Sequence, residues 1–191
     1  MMFPNRKGAA GTALIAVLTM VMASVPVSSI AAEMLDLPDG TKVDLVATCP
    51  VCGMTVGGPE GEGVTITYRK GRVVGFGGVA ATVFRDGKVV GFDGARCLFV
   101  YNSIPSRFEV DVADMTHQYV TDFVTKKMIE VERAFLVLGS DVKGRMGYEM
   151  IPFTNKGDAE KFASEHNGKW IVQLQSVVQR TQPETSGEKT D

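Results

Sequence analysis

Short apolar runs of strand length recur along this chain, and they come in a fixed order: strands, a short helix, a strand, then the same again. Val64-Thr-Ile-Thr-Tyr68 alternates apolar and polar residues in the period of two that a half-buried strand requires. Ala81–Phe84 and Lys88–Phe92 flank Asp86-Gly87, a dipeptide suited to a tight hairpin turn. Asp93 is placed to cap a helix running to about Ser103, which must stop before Pro105. Residues 118–124 read as extended, and Met128–Leu138 is the longest β-branched and apolar run, expected as one strand. A second helix is expected from Asn155 to His166, with Asn155 as cap, Ala159, Phe162 and Ala163 on its inner face, and Gly168 just past its end. Trp170–Leu174 closes the series as a strand, with Trp170 expected in the core. This order defines an α+β fold of two small ββαβ-like units following an N-terminal signal segment, with boundaries at 33–112 and 113–178.

The ends differ from this pattern. Arg6 and Lys7 precede an uncharged stretch to Ala32 with a strongly apolar centre, and Ser29-Ile-Ala31 offers small residues at a cleavage site. That is the layout of a secretory signal peptide over residues 1–32. Pro26 and Ser28-Ser29 shorten the apolar part, which favours cleavage over retention. The protein is therefore expected in the periplasm, and an uncleaved signal would instead anchor it to the membrane. Residues 179–191 are polar and read as a disordered tail. A net charge of −2 with scattered basic residues excludes a nucleic-acid surface, which needs concentrated positive charge.

An exported chain with structural disulfides should carry its cysteines in pairs. Here there are three, Cys49, Cys52 and Cys97, and the first two lie in Cys49-Pro-Val-Cys-Gly-Met54. That segment places two thiols and a thioether within one turn, and Gly53 allows the backbone to reverse so that Cys52 and Met54 address one centre. Thiolates and thioethers select soft cations such as copper(I). A structural zinc site would need a second ligand pair, which the sequence lacks. The alternative is a thiol–disulfide oxidoreductase using the Cys49/Cys52 pair. Such pairs begin a helix, whereas Gly53 and the loop Val56–Gly63 follow here.

The remaining candidates read as structural. Met146 lies between Gly144 and Gly147 in a loop that offers little core to fill, which makes it a candidate ligand; Met150 and Phe153 read as core. Cys97 reads as a buried small hydrophobe on the first helix. Met115 and His117 fall in an expected solvated loop, and Asp93 and Asp141 read as cap and turn residues. The sequence shows no nucleophile–base motif, no phosphate-cradling loop and no carboxylate pair in an apolar setting.

Three stretches carry a family resemblance: Cys52-Gly-Met54, the Asp93–Tyr101 segment, and Gly139-Ser-Asp-Val-Lys-Gly-Arg-Met-Gly-Tyr-Glu-Met-Ile-Pro-Phe153 with the helix after it. Together, over roughly residues 47–175, they resemble the NosL family, periplasmic copper(I) chaperones that are accessory to nitrous oxide reductase. The resemblance implies two small ββαβ units and a copper(I) carrier without catalysis or a small-molecule substrate. It implies Cys52, Met54 and Met146 as metal ligands, with Cys49 a further candidate. It implies a membrane ABC-type copper maturation complex and nitrous oxide reductase as partners. Many members carry a lipid-bearing cysteine directly after the signal; none follows Ala31 or Ala32 here.

Overall fold

The structure is a computed structural model that describes residues 33–59 and 61–174. The expected signal segment and C-terminal tail lie outside the described residues. In chain order the elements are β1 (Met34–Asp36), β2 (Lys42–Asp44), β3 (Thr65–Arg69), β4 (Arg72–Gly77), β5 (Ala80–Phe84), β6 (Val89–Phe92) and α1 (Ala95–Ser103). There follow β7 (Met115–Thr121), β8 (Met128–Glu130), β9 (Phe135–Leu138), β10 (Lys143–Gly144), β11 (Gly147–Tyr148), β12 (Ile151–Phe153), α2 (Lys156–Glu165) and β13 (Trp170–Gln173).

The two expected ββαβ units are present. In the first, β5 and β6 form the hairpin, α1 follows, and β7 returns antiparallel along the other side of β5. Gly87, at φ +85°, supplies the left-handed position that this turn requires. In the second, β9 is the central strand, with β12 on one side and β13 on the other after α2. Asn155 caps α2 as expected, its side chain accepting the Gly157 N–H at 2.7 Å. The first unit is extended by β8 on β7, and a small separate sheet, ordered β11-β10-β4-β3, pairs a hairpin that precedes the first unit with one inserted between β9 and β12 of the second.

Several expectations are corrected. β7 pairs with β5, so the strand at 115–121 belongs with the first unit and the pairing runs across the expected division at 112/113. Met115 and His117 thus lie in a strand, not a loop. The run Met128–Leu138 is two strands, because Val131–Arg133 forms a 3-10 turn where Glu130, Glu132 and Arg133 interrupt the apolar pattern. Trp170 is 62% exposed, since β13 is an edge strand and presents Trp170 outward. α1 takes Gly94 as its N-cap, with no side-chain cap, and Asp93 is used elsewhere.

The core has two parts. One gathers Val56, Phe92, Leu98, Tyr119 and Val120 around the first unit. The other gathers Phe76, Val137, Ile151, Phe153 and Phe162 around the second. Burial on this scale is the main favourable contribution to folding. Among the described residues no helix is long and apolar enough to cross a membrane.

Candidate metal centre

The segment holding Cys49 and Cys52 has little regular structure of its own, so its shape comes from turn hydrogen bonds. Thr48 and Thr55 form an isolated antiparallel bridge, and Val56 N–H donates to Ala47 O at 2.9 Å. Between them the chain reverses: Cys49 N–H donates to Met54 O at 2.8 Å and Gly53 N–H to Cys49 O at 2.9 Å. Gly53 sits at φ +77°, the left-handed conformation that its sequence position anticipated. The turn rests on β6: a Cβ on Gly91 would lie 2.7 Å from Val43 and 2.9 Å from Val56, so glycine is required for this approach.

Against this turn lies the first turn of α1, and it brings in Cys97. The sulfurs of Cys49, Cys52 and Cys97 all lie within 4.8 Å of one another. All three are thiols. Cys49 and Cys97 are buried and Cys52 is half-buried, so the cluster opens outward through Cys52. Cys97 is buried on the first helix, as expected, and its grouping with the other two thiols was not read because they lie far away in sequence. The odd cysteine count, which leaves one thiol without a sequence neighbour, was the available signal.

The cluster is electrostatically arranged to hold one negative charge. Cys49 is pulled down to about 5, chiefly by the hydrogen bond from Cys97 and, against the cost of burial, by the backbone N–H groups of Asp93, Cys52 and Val51. The same contact with Cys49, with burial, pushes the Cys97 thiol well above the ordinary range. Burial also raises Cys52. The first proton thus leaves easily and the others are retained until a cation compensates the charge.

Two buried carboxylates stand behind the thiols, where the sequence reading found none. Asp93 is 2% exposed and accepts the Cys52 S–H at 3.7 Å on Oδ2. Its other oxygen, Oδ1, is paired with Arg145. Burial raises Asp93 despite that pairing. Glu149 is 7% exposed, and its Oε1 accepts the backbone N–H groups of Arg96 and Met150, both at 2.9 Å. Burial pushes Glu149 up to about 7.

The methionines occupy different positions. Met54 is half-buried at the end of the thiol turn. Met146 is 44% exposed in the two-residue turn joining β10 and β11. The guanidinium of Arg96, beside Cys97, donates to Met146 O at 2.9 Å and to Tyr148 O at 3.3 Å. The Met146 backbone is thereby tied to the helix that carries Cys97. Met150 is half-buried and packs on the first core cluster.

A sheet-rich α+β chain of two ββαβ units, with a cluster of three thiols at a turn that also bears Met54, has the donor set of a soft-metal-binding class of protein. The chain belongs to the NosL family, whose profile matches residues 41–181. Among solved structures it is similar to the crystal structure of the copper chaperone NosL from Shewanella denitrificans. The two share 24% sequence identity with a TM-score of 0.53, over 72% of this chain and 94% of that one, which is a likeness of fold. No curated protein matches the sequence.

Proposed function

We propose that this protein is a periplasmic copper(I) chaperone that carries copper for assembly of the nitrous oxide reductase copper centres. The observation that carries the reading is the convergence of three thiol sulfurs within 4.8 Å, one of them half-buried, beside a turn that also bears Met54. The ligands are Cys52 and Cys49, with Cys97 added to the set read from the sequence, and the thioethers of Met54 and Met146. Family membership supports the reading, as does the fold shared with a copper chaperone.

The chemistry follows from the donors. A thiolate cluster selects a soft monovalent cation, and hard competitors such as magnesium or calcium find no oxygen cage at these sulfurs. Cys49 supplies a thiolate at neutral pH. Loading releases further protons from Cys52 and Cys97 as the cation takes their place. Neutral thioethers add softness without charge, so the ion is held yet open to exchange. Half-buried Cys52 is the accessible edge of the cluster, from which an incoming partner thiolate or thioether would take the ion. The partners that resemblance supplies, a membrane ABC-type maturation complex and nitrous oxide reductase, fit a carrier with no catalysis of its own. The oxidoreductase alternative has a geometric argument against it. Cys49 and Cys52 lie in a closed turn rather than at the start of a helix, and the thiolate falls on buried Cys49 while half-buried Cys52 is raised, so the accessible thiol is not the activated one.

The test is copper(I) affinity under anaerobic conditions, measured by competition with a chromophoric chelator. Wild type takes one copper(I) per chain, Cys52→Ser loses it and Met146→Leu weakens it. Unaltered affinity in Cys52→Ser would refute this site.

A further inference from the structure

Arg145 joins three segments that are distant in sequence. Its guanidinium donates to Val56 O at 3.1 Å, Gly57 O at 3.2 Å and Gly63 O at 3.4 Å, and it pairs with Asp93. The side chain is 14% exposed and Asp93's is fully buried. A slot is built for it. A Cβ on Gly58 would lie 2.6 Å from the guanidinium, and one on Gly77 would lie 2.8 Å from Nε. Val56 directly follows the turn that holds Cys52, and Asp93 accepts the Cys52 S–H. Arg145 is also the residue before Met146, in the same two-residue turn.

We propose, on the chaperone reading above, that Arg145 is the positioning residue of the thiol site. It occupies Asp93 Oδ1 and so leaves Oδ2 turned to Cys52, and it holds the carbonyls that follow the thiol turn. The planar fork of arginine can serve several acceptors at fixed angles, which the point charge of lysine cannot. Arg145 thus makes the thiol turn and the methionine turn one unit, so that the sulfurs are set before the ion arrives.

The experiment uses the full chain, purified anaerobically and free of copper, as wild type, Arg145→Lys and Gly77→Ala. The second variant keeps every charge; its methyl meets the Thr65 hydroxyl at 2.5 Å and Arg145 Nε at 2.8 Å, so Thr65→Ala is measured beside it to separate the two contacts. Iodoacetamide labelling located by mass spectrometry gives the rate at Cys52 relative to Cys49 and Cys97, and chelator competition gives the copper(I) affinity. Both variants are expected to melt cooperatively. Cys52 should label about tenfold faster relative to the other two thiols. Copper(I) affinity should fall about ten- to a hundredfold, as for loss of a partner that orients a metal ligand. Adding Asp93→Asn to Arg145→Lys should cost little more, because both act through one relay. Unchanged relative labelling of Cys52 in both variants overturns the proposal, and so do fully additive losses in the double variant. Labelling needs no metal. A wild type that ignores copper(I) would therefore remove the chaperone reading while the labelling still decides the role of Arg145.

Discussion

Cys97, on the first turn of α1, lies with its sulfur within 4.8 Å of that of Cys49, at the start of the Cys-Pro-Val-Cys turn. The contact makes the cluster a trio. If Cys97 were only a packing residue, Cys97→Ser would change stability slightly and leave the metal alone. As a ligand its loss should cost at least what loss of an orienting partner costs, about tenfold or more in copper(I) affinity. Chelator competition on Cys97→Ser separates the two. The same substitution removes the hydrogen bond that holds Cys49 low, so Cys49 should then titrate closer to an ordinary thiol. Thiolate absorbance against pH reads this.

Glu149 gives the metal-free protein a pH signature. Burial raises it from 4.5 to about 7. Between those values the folded chain keeps a proton that the unfolded chain has released. Stability from this source is complete below the lower value, falls as pH rises through the window, and is flat above it. The fall amounts to roughly 3 kcal/mol. Urea midpoints at pH 5 and pH 8 should diverge more in wild type than in Glu149→Gln. Equal divergence would show that Glu149 does not titrate in this window.

Gly91 sets how closely the thiol turn approaches β6. A Cβ there would press on Val43 at 2.7 Å and Val56 at 2.9 Å, both core residues with little room to move. Gly91→Ala should destabilise by about 1–3 kcal/mol, the usual cost of overpacking. Denaturant unfolding measures this, and an unchanged midpoint would mean that the turn does not rest on β6.

Trp170 is the sole tryptophan and is 62% exposed on the edge strand. Its emission should be that of a solvated indole, and acrylamide should quench it fully in the folded protein. Trp170→Ser should change stability by no more than about 0.5 kcal/mol, as for an exposed side chain. A blue-shifted, protected emission would show the residue buried.

Local features of this fold were legible before any coordinates. Asp86-Gly87 marks its hairpin, Asn155 its helix cap, and Gly53 the reversal between Cys52 and Met54, because each depends on the residue's own backbone preference. Features that depend on tertiary contact were not. Asp93 reads as a helix cap from its neighbours, yet Arg145 claims it, and nothing local to either residue records the other. Cys97 and Glu149 likewise take their roles from elements that pack against them. Trp170 was misplaced because hydrophobicity marks a strand without saying which of its faces is covered. The break at Val131–Arg133 was readable in principle, since Glu130, Glu132 and Arg133 interrupt the apolar run.

Copper-edge X-ray absorption on the chain loaded anaerobically with one equivalent of cuprous ion tests the soft-sulfur site most directly. The expected spectrum is that of monovalent copper surrounded by sulfur alone, with a shell that loses sulfur in Cys52→Ser and in Cys97→Ser. A nitrogen or oxygen shell, or copper that stays with the chelator and never enters the protein, would contradict it.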